Sequence, residues 1–191
     1  MAAMDGKAAC EGWPVELELS LGTSNPSMLR QRVTQVFELL RDPVYRYLFR
    51  VLDSRDEAED LTQEVFLRLY AQLNKGHAVA NVRVWVFRVA HNLAIDQQRK
   101  KTRLEPMDAS VQANAFDPAP GADEKLLNDE QAQRLRQALA SLSKQERHCL
   151  ELRAEGLPYR EIADILEMRM PTLVKYLGRI IKKLVRETAY D

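Results

Sequence analysis

Between Met28 and Arg103 the apolar side chains recur at helical spacing almost without interruption, and this periodicity leaves the chain little choice of fold. A period of 3.6 residues turns one stripe of each segment toward a core. No stretch alternates convincingly in the two-residue rhythm of a half-buried strand. A break at Gly76, with several small residues, divides the segment. The pattern stops at Leu104–Ala122, where Pro106 and the run DPAPGA (Asp117–Ala122) remove helix propensity and the acids keep the chain in water. It resumes at Asp123 and runs to about Glu187. The expected fold is all-α: two small helical domains, 28–103 and 123–191, joined by a flexible acidic linker over 104–122. Residues 1–27 read as a disordered polar tail.

Charge is unevenly distributed along this pattern. The net charge is zero, yet Asn81–Arg103 carries six basic residues against Asp96 alone, and Arg169–Arg186 carries six with no acid. Asp53–Glu64 has six acids against Arg55, and Glu105–Glu130 has seven against Lys125. Two basic stretches separated by acidic ones point to two polyanion contacts on one chain. Only Cys10 and Cys149 are present, too few for a disulfide framework. The first residues lack the basic start and apolar run of a secretory signal. No apolar run approaches the roughly 18 residues of a membrane span. A cytoplasmic protein is expected, with no membrane insertion. His77, His91, His148 and Cys149 lack metal-ligand spacing, and no Gly-rich phosphate loop occurs. No metal, cofactor or catalytic site is expected, and the chain does not read as an enzyme.

Pro158–Val185 (PYREIADILEMRMPTLVKYLGRIIKKLV) carries the pattern of a helix-turn-helix. Ile162, Ala163, Ile165 and Leu166 share one side of the first segment. After a short turn, Pro171 suits the first position of a new helix, where a missing N–H costs nothing. Leu173, Leu177, Ile180, Ile181 and Leu184 then form an apolar face, with Lys175, Arg179, Lys182 and Arg186 opposite. An ordinary solvated face mixes signs, whereas this one has no acid, which favours DNA contact. Two residues count against the motif. Glu167 stands where the turn usually takes Gly, at a cost of about 1 kcal/mol. Gly178 inside the second helix costs about another 1 kcal/mol relative to Ala.

In the first domain, WVFRVAHNLAIDQQRKK (Trp85–Lys101) wound as a helix turns Val86, Val89, Ala90 and Leu93 to the core. Trp85, Arg88, Asn92 and Arg99 fall on another line. An aromatic to stack, an amide to bond a base edge and cations for phosphate suit single-stranded or opened nucleic acid. Trp85 as a core residue, and Asn92 as a merely tolerated one, are the alternatives. Upstream, DEAEDLTQEVFLRLYAQL (Asp56–Leu73) turns Ala58, Leu61, Val65, Phe66 and Leu69 inward. Asp60, Gln63, Glu64 and Leu67 run along a different face, a candidate partner surface.

Taken in order, AEDLTQEVFLRLY, VWVFRVAHNLAIDQQRK, an acidic linker and LSKQERHCLELRAEGLPYREIADIL resemble the extracytoplasmic-function (ECF) sigma factors of bacterial RNA polymerase. The resemblance covers roughly Met28 to Glu187. It implies an alternative sigma factor that binds core polymerase and directs promoter recognition and opening. It assigns Asp60, Gln63, Glu64 and Leu67 to the clamp helices of the polymerase β′ subunit. Trp85, Arg88, Asn92, Arg99, Lys100 and Lys101 would meet the −10 element, with Asn92 at the base-capturing position. Thr172, Lys175, Tyr176, Arg179 and Lys182 would read the −35 element. The family further implies a contact with the β flap, a linker passing the RNA exit path and a partner anti-sigma factor. MPTLVKY departs from the commoner Gly-Thr-Val turn and looks closer to the iron-starvation-type subgroup. The competing readings are a free-standing helix-turn-helix transcriptional regulator, which would bind duplex DNA without polymerase, and a protein-interaction module with no DNA dependence.

Overall fold

The computed structural model of the chain describes residues 26–104 and 133–188, and all its regular elements there are helices. Of the expected tail only 26–27 are described, and these already open α1, so the helical pattern starts slightly earlier than the periodicity suggested. Of the expected linker only Leu104 is described, as the end of α3; the remainder lies outside the described residues.

The first unit is α1 (Pro26–Leu52), α2 (Arg55–Asn74) and α3 (Val82–Leu104). The α1–α2 joint is short because Asp53 takes a left-handed conformation, φ 56°. The Ser54 hydroxyl then accepts the Glu57 N–H and caps α2, with Asp56 and Glu57 in the first turn complementing the helix dipole. Asn81 performs the equivalent task for α3, its Oδ1 accepting the Val84 N–H at 3.0 Å. Val44, Tyr47 and Leu48 of α1, Val65 and Leu69 of α2, and Val86, Phe87 and Ala90 of α3 are wholly enclosed. Val86 and Ala90 are buried as the periodicity required, while Val89 and Leu93 sit half-exposed at its edge.

The second unit contains a helix described over 133–140 (α4), then α5 (Lys144–Ala154), α6 (Tyr159–Ile165) and α7 (Met170–Thr188). Ser143 and Glu146 form a reciprocal capping box at the start of α5. The helix-turn-helix closes as the spacing predicts. Ile162, Ala163 and Ile165 are buried against Leu173, Leu177 and Ile180. At the turn Glu167 adopts φ 52°, and the Met168 N–H reaches back to the Ala163 carbonyl at 2.9 Å. This is the left-handed helix ending that Gly usually supplies. Each enclosed Ile or Leu is worth about 1.5–3 kcal/mol, so several of them outweigh the roughly 1 kcal/mol strain at Glu167.

Two details of the second unit differ from the sequence reading. Ile181, expected on the apolar face, is 57% exposed. One residue past the buried Ile180, it is rotated by about 100° and leaves the core for the rim. Pro171 lies one residue inside α7 rather than at its first position.

The two units pack directly, α3 against α6 and α1 against α5.

Candidate nucleic-acid and partner interfaces

On α2, Asp60, Gln63 and Leu67 are exposed, and Leu67 retains 64% of its surface. Glu64 is half-buried and accepts a bond from Arg68 Nε at 2.7 Å, one helical turn on. Exposed pairs of this kind contribute only about 0.3–0.5 kcal/mol and leave the carboxylate available. The face is larger than the sequence indicated. Phe37, Val33, Thr34 and Arg30 of α1 join Gln63, Phe66, Leu67 and Tyr70 around an open apolar groove of about 510 Å³. Phe37 meets Phe66 edge-on at 4.9 Å on its floor. The α1 side was missed because periodicity does not separate a core from a groove.

The line along α3 is divided by packing. Asn92 and Lys100 are exposed, and Arg99 is 78% exposed with only a loose 3.8 Å pairing to Asp96. Lys101 is tethered to Glu57 of α2 at 2.7 Å. Trp85 is half-buried against the core, so its ring serves packing as well as any outward stacking. Arg88 is half-buried, and its Nη2 donates to the Asp164 carbonyl of α6 at 2.8 Å.

On α7, Thr172, Lys175 and Lys182 are exposed. Tyr176 is half-buried and its hydroxyl donates to Gln145 at 2.9 Å. The Arg179 guanidinium lies 4.6 Å from the Tyr176 ring centre, which holds it on the surface. The basic face is not free of acid once folded. Glu146 of α5, enclosed beside it, lies 3.3 Å from Lys183 and 3.8 Å from Arg179. The Ser143 backbone N–H, aided by its hydroxyl and by Lys183, holds the Glu146 carboxyl below its ordinary range. The charge-run reading could not find this acid, because it belongs to a different helix.

Between the units stands a polar contact that the sequence did not announce. Arg46 Nη2 lies 2.8 Å from Glu155, and Arg50 Nη1 lies 2.8 Å from Glu155 and 3.2 Å from Glu151. Arg83 pairs with Glu161 at 2.7 Å, and the Asn81 amide donates to the same carboxylate at 3.3 Å. Deeper in, the Tyr47 hydroxyl shares a 2.8 Å hydrogen bond with His91 Nδ1 and approaches His148 Nδ1 at 3.5 Å. The two imidazoles meet edge to face at 4.9 Å. Burial pushes the His148 imidazole down to about 4 and lowers His91 as well. Burial also drives the Cys149 thiol up to about 11, which makes it an inert core group. His148 and Cys149 do point different ways, His148 to the other unit and Cys149 into the core. Among the described residues no group of His, Cys, Asp and Glu is placed to hold a metal ion. No described helix is long and apolar enough to cross a membrane.

Comparison with known proteins divides the chain at the same place. Residues 36–104 match the model of sigma-70 region 2, and residues 132–184 match that of sigma-70 region 4. Together the two matches span more than half of the chain. ECF RNA polymerase sigma factor SigW of Bacillus subtilis is 32% identical over 95 residues, covering 44% of this chain and 51% of the relative. ECF RNA polymerase sigma factor SigK of Mycolicibacterium vanbaalenii is 29% identical over 141 residues, covering 72% and 71%. The chain thus spans about half the length of the first of these and about seven-tenths of the second. In fold it resembles the sigma factor RpoE in the complex with the anti-sigma factor NepR from Bartonella quintana. The TM-score is 0.63 at 23% identity, covering 81% of this chain and 94% of that one.

Proposed function

From the premise that this chain belongs to the ECF sigma factors, with region 2 and region 4 in their family order, we propose that it binds core RNA polymerase and directs promoter recognition and opening as an alternative sigma factor. The observation that carries this is the pairing, on one chain, of the exposed acidic–apolar face of α2 with the basic helix-turn-helix face of α7. A free-standing DNA-binding module needs only the second.

In this reading Asp60, Gln63, Glu64 and Leu67, with the groove beside them, dock on the β′ clamp helices. Asn92 captures a base of the −10 element, while Arg99, Lys100 and Lys101 hold its backbone. Trp85 joins them from its half-buried place, and Arg88 joins them once its bond to the Asp164 carbonyl is exchanged for phosphate. Thr172, Lys175, Tyr176, Arg179 and Lys182 read the −35 element, and the second unit also meets the β flap. Phosphate contacts supply salt-dependent affinity and a few side chains supply specificity. Captured bases replace lost stacking, so opening requires no catalytic group in this chain, and the protein acts as a regulator rather than an enzyme. The domain limits proposed are 28–103 and 123–191, with the acidic segment between them passing the RNA exit path. The MPTLVKY turn, with its non-glycine left-handed Glu167 just before, supports a place near the iron-starvation-type subgroup. The complex of RpoE with NepR supports an anti-sigma partner here too. The site of action is the cytoplasm, where polymerase works.

The test is to mix the purified chain with sigma-free core polymerase and resolve the mixture by size exclusion. A stable one-to-one complex is expected. No complex, together with tight binding of duplex DNA by the chain alone, would replace this reading with a free-standing regulator.

A further inference from the structure

The outward surface of α7 is not uniformly basic. Leu173, Leu177 and Ile180 are turned into the core. Val174 and Gly178 each follow a buried leucine, so the helix step of about 100° carries both out of the core and onto one line, a turn apart. Val174 leaves 52% of its surface in water. A Cβ placed on Gly178 would meet nothing within 4 Å, so the surface is notched beside the valine. Lys175 and Lys182 are exposed along the neighbouring line. Glu146 approaches the helix from the far side, at Arg179 and Lys183.

A single exposed valine is ordinary on a protein surface. Two circumstances make this one informative. A glycine inside a helix costs stability relative to alanine, and the φ of Gly178 is not in the left-handed region, so the fold of α7 does not demand it. The notch is also bordered by cations, and Met170–Arg186 carries no acid, which matches a polyanion better than an apolar protein surface. In the major groove of duplex DNA, a side chain without donors or acceptors tells bases apart through thymine, whose C5 methyl is the apolar group presented there.

We propose that Val174 and Gly178 form a thymine-methyl notch. The valine methyls contact the C5 methyl of one thymine in the −35 element, and the missing side chain at Gly178 lets the helix backbone come close enough to the base for that contact. The proposal rests on the sigma-factor reading and adds a specificity-determining pair to its −35 surface. Lys175 and Lys182 hold the helix against phosphate and carry the salt-dependent part of the affinity, while the notch carries base preference. Val174 and Gly178 lie about 6 Å apart along the helix axis, less than two base-pair steps of about 3.4 Å, so the notch addresses one base position and its neighbour.

The test uses the full chain assembled with core polymerase. Duplexes with a randomised −35 region are selected for binding by the wild-type assembly. Each thymine of the selected −35 sequence is then replaced, one at a time, by deoxyuridine, which removes only the methyl group. One replacement should weaken binding about three- to fivefold, the effect of one buried methyl. Val174→Ala should bind the thymine duplex more weakly by a similar factor and bind that deoxyuridine duplex as the wild type does, so the two losses are not additive. Gly178→Leu should weaken binding to both duplexes while circular dichroism and complex formation with core polymerase stay at the wild-type level. A selected −35 sequence without thymine, replacements that are neutral at every position, or a methyl effect that survives in Val174→Ala would overturn the notch. Weaker binding of core polymerase by Val174→Ala would assign the valine to a protein contact and overturn it too. Wild-type DNA binding by Gly178→Leu would overturn the close approach assigned to the glycine. If the wild-type assembly forms and selects a −35 sequence without any methyl effect, the notch alone fails. If no assembly forms, the sigma-factor reading fails and the notch with it.

Discussion

Gly178 isolates a cost at the level of one residue. It lies in the middle of α7, its φ is not in the left-handed region, and a Cβ built on it meets nothing within 4 Å. Nothing among the described residues requires a glycine there, so its backbone entropy is an uncompensated loss. Gly178→Ala should raise unfolding stability by about 1 kcal/mol, measured by denaturant titration. No gain would show that α7 is distorted at this point. Glu167 is the opposite case, since its φ of 52° is required by the turn and its strain is offset by the buried side chains on either side. Both residues were conspicuous in the sequence. Only the folded backbone separates a strain that the turn needs from one that the helix tolerates.

At the level of an element, α2 shows how one helix serves two surfaces. Val65 and Leu69 are wholly enclosed, while Asp60, Gln63 and Leu67 stay outside. This division is legible in the amphipathic spacing alone, because a helix has a fixed angular step. The groove completed by Phe37 and Val33 was not legible, since it depends on where α1 crosses α2. Asp60→Lys should weaken the complex with core polymerase at least tenfold while the circular dichroism and the melting temperature stay near wild type, because the residue is exposed. Normal affinity would move the docking surface elsewhere on the first unit.

For the whole molecule, the buried histidine pair makes stability depend on pH. Tyr47 of α1, His91 of α3 and His148 of α5 form the buried centre. Glu151, Arg147 and Lys144 of α5 and Glu167 of the helix-turn-helix turn add charges around it. His148 is pushed down to about 4 by burial first and then by the charges of His91, Arg147 and Lys144. His91 is lowered by burial, with Glu167 acting against it. Both imidazoles bind protons less readily in the folded molecule than in the unfolded chain. Their contribution is therefore present above the ordinary value of 6.5 and is lost as pH falls from there toward 4. Glu151, raised chiefly by burial and opposed by Arg50, acts in the other direction and gains its effect at the acid end. Between about pH 7.5 and 5.5 the histidines dominate, because this window brackets the ordinary imidazole range. Unfolding midpoints should fall over this range, with each histidine changing the equilibrium by at most about tenfold per pH unit. His148→Gln should flatten the profile, and a wild-type profile that is already flat would contradict the buried neutral pair.

The sequence by itself determined the helices, their inward faces, the helix-turn-helix and the order of its family motifs, because each is set by local spacing along one chain. Exposure at Asp60, Asn92, Lys175 and Lys182 followed from the same angular rule. Only the tertiary structure decided that Arg88 is bonded to α6, that Glu146 sits among the bases of α7, and that Glu155 joins Arg46 and Arg50. These are pairings between helices far apart in sequence. Periodicity fixes which way a side chain leaves its own helix; which helix it then meets is settled by packing of the whole chain.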